Sequence, residues 1–362
     1  MSYRVCIPVA GTGSRLAGLT RYLNKSLVSV ANRPVLSHII DAFPKDCEFI
    51  LPLGYKGDLV QEFLQLAYPD RLFHFTVVEP YEGPGSGLGL SLLTCEHLLQ
   101  EPFVFCSCDT LVDEQIPAPE ENWMGFAKVQ NIAEYRTGRI CGNRVLEVLD
   151  KGAVGDDLYA YIGLSGISDY KTFWDLMHLG AGDAINMGES YALQRMASSS
   201  LVKGCEFGWH DCGNPTALEK TRLERSKPDQ PNILEKSNEA IWFVTDKVIK
   251  FSDDKKFIAN RVKRVHELQG FVPEVNGSTS HMYRYQKVAG SVLSEVVTLP
   301  LFERLLELCK DFWKQKAQNP EQLQDFYGTC MRFYRDKTID RVELFYKNFS
   351  QQDGTESING AE

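Results

Sequence analysis

Positive charge is in short supply in this 362-residue chain: 39 Lys and Arg stand against 48 Asp and Glu, a formal net charge of −9 at pH 7. No Lys/Arg-rich run rises above that background, so nucleic-acid binding, which needs a basic surface to displace counterions, is disfavoured. Long apolar runs are lacking too. The opening "MSYRVCIPVAG" has neither the basic start and apolar stretch of a signal peptide nor a segment able to span a bilayer. The expectation is a cytoplasmic protein with no membrane partner. Cysteines paired at metal-ligand spacing are also missing. The ten cysteines are scattered, and the tight pair Cys106 and Cys108 follows an apolar strand, so they read as reduced core thiols, with zinc the lesser alternative.

Two phosphate-binding fingerprints are incomplete. After the apolar run Val5 to Val9 come Gly11 and Gly13, but Leu16 stands where a dinucleotide motif needs its third glycine. Asn24 precedes Lys25-Ser26 where a Walker A loop carries glycine. What is there is a glycine-rich turn whose N–H groups can point at an anion, with Arg15 and Lys25 close enough to add charge around a polyphosphate. A surface loop with two ordinary cations is the alternative.

At 43% hydrophobic residues the chain has material for two cores. Over the first two-thirds, β-type runs alternate with helical patterns: "RVCIPVAG" strand, "RPVLSHIIDAF" helix, "CEFILPLG" strand, "KGDLVQEFLQLAY" helix, "LFHFTVVEP" strand, "GLGLSLLTCEHLL" helix and "PFVFCSCDT" strand. That rhythm predicts an α/β fold with a Rossmann-like, mainly parallel sheet and a ligand at the carboxyl ends of its strands. A polar, proline-containing stretch from Lys227 to Glu235 suggests a boundary, giving domains 1–230 and 231–362, the second smaller and α+β.

The ordered string Gly11-Thr12-Gly13-Ser14-Arg15-Leu16, Thr20, Asn24-Lys25-Ser26-Leu27 and Arg33-Pro34-Val35-Leu36 resembles the signature of the sugar-phosphate nucleotidylyltransferase superfamily. The resemblance implies that Ala10, Gly11, Gly13, Arg15 and Lys25 bind a nucleoside triphosphate. Arg33-Pro34 reads as an ordinary helix start. "EPYEGPGSGLGLSLL" then supplies Gly83, Gly85, Ser86 and Gly87, matching the family's base-binding loop, where glycines let the backbone approach a flat ligand. Asp109, closing "FVFCSCD", matches the family's magnesium-binding aspartate. Asp211 in "GWHDCGNPTAL" resembles its second ligand, with a helix cap at Asn214 as the alternative use of that turn. The implied cofactor is Mg2+, and the implied catalytic set is Lys25, Arg15, Asp109 and Asp211.

On the acceptor side the family's Glu-Lys-Pro is replaced by Asp150-Lys151-Gly152. Lys151 is carried over as an acceptor-phosphate ligand, with a solvated hairpin lysine an equal alternative. Tyr161 and Glu189 complete the acceptor set. The glycine loop and compact first domain look closest to bacterial phosphocholine-type cytidylyltransferases. CTP and a phosphorylated small molecule are therefore the expected partners, in capsule or lipopolysaccharide decoration. Sugar-1-phosphate enzymes using UTP, GTP or dTTP share the same phosphate residues, a non-catalytic nucleotide-binding subunit remains a different kind of reading, and a homo-oligomer stays open.

The last third changes register. "EAIWFVTDKVIKFSDDKKFIANRVKRVHEL" reads as two strands and a charged helix, followed by the strands of "GSTSHMYRYQKVAG". It looks like the N-lobe of an aminoglycoside/choline phosphotransferase-like kinase, with Lys250 in place of the strand lysine that holds ATP phosphates. No His-x-Asp catalytic loop or Asp-Phe-Gly follows. Kinase activity is thus not expected from this chain alone, and an excerpt of a longer bifunctional protein is the favoured explanation.

Overall fold

A computed structural model describes residues 2–199, 201–226, 231, 233–313 and 318–349. The chain forms two compact units, Met1–Ala289 and Gly290–Glu362. The compositional boundary at 227–235 falls largely outside the described residues and inside the first unit.

The first unit begins with strand β1 (Arg4–Cys6), the hairpin β2 (Ser29–Val30) and β3 (Arg33–Pro34), helix α1 (Val35–Asp41), β4 (Glu48–Leu53), α2 (Gly57–Ala67), β5 (Phe73–Val77), α3 (Leu88–Cys95) and β6 (Phe103–Cys106). Arg33-Pro34 ends the hairpin, and Pro34 sits one residue outside α1. After β6 come β7 (Thr110–Val112), β8 (Trp123–Ala127), β9 (Thr137–Cys141), β10 (Arg144–Leu149) and β11 (Leu158–Ile167). Helices α4 (Tyr170–Met187) and α5 (Glu189–Ser199), strands β12 (Lys203–Glu206) and β13 (Trp209–Asp211), and helix α6 (Pro215–Arg225) follow. The nine-stranded sheet runs β5-β4-β1-β6-β11-β8-β12-β10-β9.

The expected mainly parallel sheet is instead mixed. Strands β5, β4, β1 and β6 are parallel, as strand-helix crossovers require. Strand β11 enters antiparallel to both β6 and β8, and β9 also pairs with β11, so the second half closes on itself. Only a short turn separates β9 from β10, and the two strands pair antiparallel.

Alternation along the strands builds a core on each face. Val5, Ile7, Phe49, Leu51 and Val104 face α1 and α2, whereas Cys6, Ile50, Phe103 and Phe105 face α3, α4 and α5. Cys6, Cys47, Cys95, Cys106, Cys108 and Cys212 are buried, and all ten cysteines are free.

Still within the first unit, β14 (Glu239–Val244), β15 (Lys247–Ser252), α7 (Lys255–Glu267), β16 (Val275–Ser278) and β17 (Met282–Gln286) form a second sheet of order β14-β15-β17-β16. Its buried Trp242, Val244, Ile249, Phe251 and Met282 belong to the same core as Val5 and Phe63. Phe63 of α2 meets Trp242 edge-on at 5.3 Å.

The second unit contains α8 (Leu293–Val296), α9 (Leu299–Phe312), α10 (Pro320–Cys330), a π-helical turn Met331–Asp336 and α11 (Lys337–Phe349). Its described residues include no buried side chain. No helix among the described residues is long and apolar enough to cross a membrane.

Candidate active site

The loop after β1 is shaped by Gly13 and clamped by Asn24. Gly13 has φ +66, and a Cβ there would lie 2.8 Å from Lys25 Cβ and 2.9 Å from Thr20 Cγ2; only glycine fits. The buried Asn24 amide donates to the carbonyls of Val9 (2.8 Å) and Tyr55 (2.7 Å), while its oxygen accepts from the Ser26 N–H and hydroxyl. Tyr55 donates its hydroxyl to the Thr20 carbonyl and its N–H to the Ala10 carbonyl. The backbone on both sides of Lys25 is therefore pinned to the ends of β1 and β4.

Lys25 Nζ donates to Asp109 Oδ2 at 3.0 Å. Burial works against the ammonium, but Asp109 outweighs it and raises the amine above its ordinary range. Burial likewise penalises the Asp109 carboxylate, and Lys25 and Arg15 overcome that penalty and hold it low. Asp109 and Asp211 are brought together by a two-stranded ribbon in which β13 pairs antiparallel with β7, Asp211 opposite Thr110. The Cys212 N–H closes the ribbon by donating to the Asp109 carbonyl at 2.9 Å. A methyl group on Gly213 would lie 2.9 Å from Asp109 Oδ2, 3.0 Å from Asp211 Oδ1 and 3.5 Å from Arg15 Nη2. Two carboxylates and a guanidinium thus converge on one point.

Asp211 accepts from the Gly213 N–H (2.7 Å) and the Tyr135 hydroxyl (3.1 Å). Its carboxyl is raised by burial first, against the Gly213 hydrogen bond, with Asp109's charge adding to the rise. Asn214 caps α6 through the Ala217 N–H, so capping and the aspartate pair coexist in one turn.

A cleft of ≈ 340 Å³ opens beside this point, lined by Pro8, Ala10, Gly11, Arg15, Lys25, Tyr81, Ser86, Gly87, Leu88, Ser91, Ser107, Cys108 and Asp109. Of the residues named from sequence, Ala10, Gly11, Arg15, Lys25, Ser86, Gly87 and Asp109 share this lining. Gly13 shapes the loop from behind, and Gly83 and Gly85, at φ +82 and +84, form the turn in which Ser86 Oγ donates to the Gly83 carbonyl. Cys108 is pushed up to about 11 by burial, against the pull of Lys25.

The acceptor-side residues sit apart from that lining. Lys151 is exposed in a turn. Tyr161 is buried on β11, its hydroxyl 3.5 Å from Ser165 Oγ. Glu189 is buried at the start of α5, with Oε2 lacking a protein partner, and burial raises its carboxyl to about 7. Arg136 lies between these groups, donating to Asp150, the Met187 carbonyl and Ser190.

Two contributors are not in the sequence-derived set. Asn24 stood there as the residue that breaks a Walker A pattern and as part of the Asn24-Lys25-Ser26-Leu27 string, with no role of its own. Tyr135, which packs edge-on against Trp209 at 5.0 Å, reaches an aspartate 76 positions away, and no local pattern marks it.

The donor set suits a hard divalent cation: two carboxylates within reach of one point, one of them raised partly by the other's charge. Among the described residues no cluster of three or more His, Cys, Asp or Glu forms an all-protein metal cage.

No protein-family model matches the chain. It is 24% identical over 217 residues to the bifunctional protein GlmU of Methanococcus vannielii, covering 57% of this chain and 51% of that protein. GlmU of Methanococcus maripaludis strain C5 is 23% identical over 214 residues, 57% of this chain and 50% of that one. The chain thus spans about half the length of the relatives it matches. Among solved structures, apo UDP-glucose pyrophosphorylase superposes with a TM-score of 0.53 at 16% identity, covering 62% of this chain and 98% of that one. The CTP:phosphocholine cytidylyltransferase of Streptococcus pneumoniae superposes at 0.51 and 15%, covering 62% and 99%. The chain has the fold these nucleotidylyltransferases share.

Proposed function

We propose that the chain is a magnesium-dependent nucleotidyltransferase that joins a nucleoside triphosphate, with CTP favoured, to a phosphorylated small molecule and releases pyrophosphate. The observation that carries this reading is the convergence of Asp109, Asp211 and Arg15 at the rim of the cleft that holds Lys25. The acceptor's phosphate oxygen attacks the α-phosphorus of the triphosphate, the bond to the bridging oxygen breaks, and pyrophosphate leaves. Lys25 and Arg15 neutralise the phosphates and hold donor and acceptor in line. Asp109 and Asp211 would hold Mg2+, which when bound offsets charge on the phosphate oxygens. The Cys108 thiol stays protonated at neutral pH, so direct attack, without a covalent enzyme intermediate, fits the cleft.

One structural neighbour is a CTP:phosphocholine cytidylyltransferase. Lys151, Tyr161 and Glu189 remain the acceptor residues in this reading, and surface-glycan decoration its setting. The GlmU relatives and a UTP-bound UDP-glucose pyrophosphorylase neighbour favour a second reading, a sugar-1-phosphate acceptor with UTP, GTP or dTTP.

The domain division 1–230 and 231–362 belongs to the same proposal, with the second domain kinase N-lobe-like. Two strands, a helix and two strands support it, as does Lys250 on the second strand. The Lys250 ammonium pairs with Glu239 on the neighbouring strand at 2.6 Å.

The test is a pyrophosphate-release screen with Mg2+, crossing CTP, UTP, ATP, GTP and dTTP with phosphocholine, other phosphorylated small molecules and sugar phosphates. Turnover of CTP with phosphocholine or a similar small phosphate supports the first reading, and turnover of UTP, GTP or dTTP with a sugar-1-phosphate supports the second. Nucleotide binding without turnover of any pair would favour a non-catalytic subunit.

A further inference from the structure

Ser29 is where three parts of the first unit meet. It lies four residues after Lys25, at the start of β2, and the Val28 N–H ahead of it donates to the Lys25 carbonyl at 3.2 Å. The Ser29 carbonyl accepts from Arg222 Nε at 2.9 Å, and Arg222 belongs to α6, the helix launched just after Asp211. The Ser29 hydroxyl accepts from the Trp242 indole N–H at 3.0 Å, and Trp242 belongs to β14 of the second sheet. One residue further along β14, the Phe243 N–H donates to the Asn32 carbonyl at 2.9 Å, in the turn of the β2-β3 hairpin.

The segment carrying Lys25 is therefore held at both ends. Asn24 ties its front to the ends of β1 and β4. Ser29 and Asn32 tie its back to the second sheet. Trp242 is rigidly placed for this, fully buried between Phe63 edge-on and Phe251 stacked at 6.0 Å.

The second sheet is itself bolted to α2. Glu62 accepts from Thr279 Oγ1 (2.6 Å), the His281 N–H (2.9 Å) and His281 Nδ1 (2.9 Å). Arg284 and Lys247 donate to the Leu66 and Ala67 carbonyls at the helix C-terminus, 2.8 and 2.9 Å away, where cations meet the negative end of the dipole. The other end of α2 follows Tyr55, which bonds Ala10 and Thr20 of the nucleotide loop.

We propose that Trp242 is a positioning residue for nucleotidyl transfer: through Ser29 it fixes the hairpin that follows the Lys25–Leu27 turn, which makes the second sheet a working part of the transfer site. The proposal rests on the nucleotidyltransferase reading above. A lysine that must meet the phosphates as the bond to pyrophosphate breaks loses rate when its segment wanders, even if the triphosphate still binds.

The experiment uses the full chain with Trp242→Phe, Ser29→Ala and the double variant. Measured are kcat and KM with the substrate pair found in the screen, nucleotide Kd by calorimetry, and amide hydrogen exchange. Trp242→Phe keeps an aromatic ring against Phe63 and Phe251 and removes the N–H. Loss of one net hydrogen bond predicts a fall in kcat of about fivefold in each single variant, with nucleotide Kd changed by less than about twofold. The double variant should be no slower than the slower single one, because both remove the same bond. Exchange should quicken at Lys25 to Asn32 and stay unchanged in α5. Unchanged kcat in folded variants, or losses that add, would overturn the proposal. If Trp242→Phe does not fold, Ser29→Ala carries the test alone, since it removes only a hydroxyl. If the wild type turns over no pair, the transferase reading has failed separately, and unchanged exchange at Lys25 to Asn32 then removes the coupling as well.

Discussion

Lys25 keeps its charge in a place where burial alone would weaken it, because Asp109 lies 3.0 Å away. In the proposed reaction this charge acts on the phosphates as the bond to pyrophosphate breaks. Lys25→Ala should therefore lower kcat by about a hundredfold or more with a smaller change in nucleotide KM, read from steady-state pyrophosphate release; an effect confined to KM would leave Lys25 as a binding residue only. The two loop glycines separate conformation from contact. A Cβ on Gly13 collides with Lys25 and Thr20, while one on Gly11 meets nothing within 4 Å. Gly13→Ala should lower both Tm and rate, whereas Gly11→Ala should leave Tm unchanged and weaken nucleotide binding measured by calorimetry. Glu189 is a buried carboxyl raised from 4.5 to about 7. Below pH 4.5 it is neutral in folded and unfolded chains alike. As pH rises towards 7 the unfolded chain ionises first, so the folded state loses up to about 3 kcal/mol, and the loss is complete above 7. Glu189→Gln should then match wild-type Tm near pH 4.5 and exceed it at pH 8; equal Tm differences at both pH values would show that Glu189 is solvated.

Among the elements, the loop before α3 and the helix itself use glycine for different reasons. Gly83 and Gly85 adopt left-handed φ in an open turn, and a Cβ on Gly85 would touch only Pro80 Cγ at 4.0 Å. Gly87 and Gly89 are needed for packing, since a Cβ on them would fall 2.3 Å from the Ile185 carbonyl oxygen and 2.0 Å from that of Ala184 on α4. Gly85→Val should cost roughly 1–3 kcal/mol of local strain, keep the fold, and weaken CTP binding in calorimetric titration. Gly87→Ala should instead lower Tm strongly. Full CTP affinity in folded Gly85→Val would place the base away from this turn. The ribbon of β7 and β13 has a similar logic: it is short, yet it fixes the spacing of Asp109 and Asp211, which are more than a hundred residues apart in sequence.

At the scale of the whole first unit, the second sheet shares a core with the sheet that carries the cleft. Glu62 of α2 is one of the polar ties to the second sheet: burial opposes its carboxylate, and the Thr279 and His281 hydrogen bonds hold it low all the same. Glu62→Ala leaves those donors unpaired and should cost roughly 1–3 kcal/mol. Hydrogen exchange would show the loss as faster exchange in β16 and β17, with β1 and β4 unaffected. No change in those strands would mean that the Arg284 and Lys247 bonds to α2, with the apolar packing around Trp242, hold the sheet without Glu62.

Much of this was legible in the chain. Strand-helix alternation located β1, β4, β5, β6 and helices α1 to α3 because apolar periodicity is a local property. The glycine turn, Arg15, Lys25, Asp109 and Asp211 were visible as an ordered motif resembling a nucleotidylyltransferase signature, with an ordinary surface loop and a helix cap as the alternative readings. Periodicity does not encode which strands pair, so the antiparallel entry of β11 and the closure of β9 onto it came only with the fold. Tyr135 on Asp211, Asn24 on Val9 and Tyr55, and Trp242 on Ser29 are contacts across 76, 15, 31 and 213 positions. Their partners are chosen by packing, and a hydrogen bond between distant segments leaves no trace in the spacing of either. The chain by itself determined the chemistry available to the cleft, and tertiary structure alone decided which groups meet there, because convergence depends on how the sheets close and not on any local pattern.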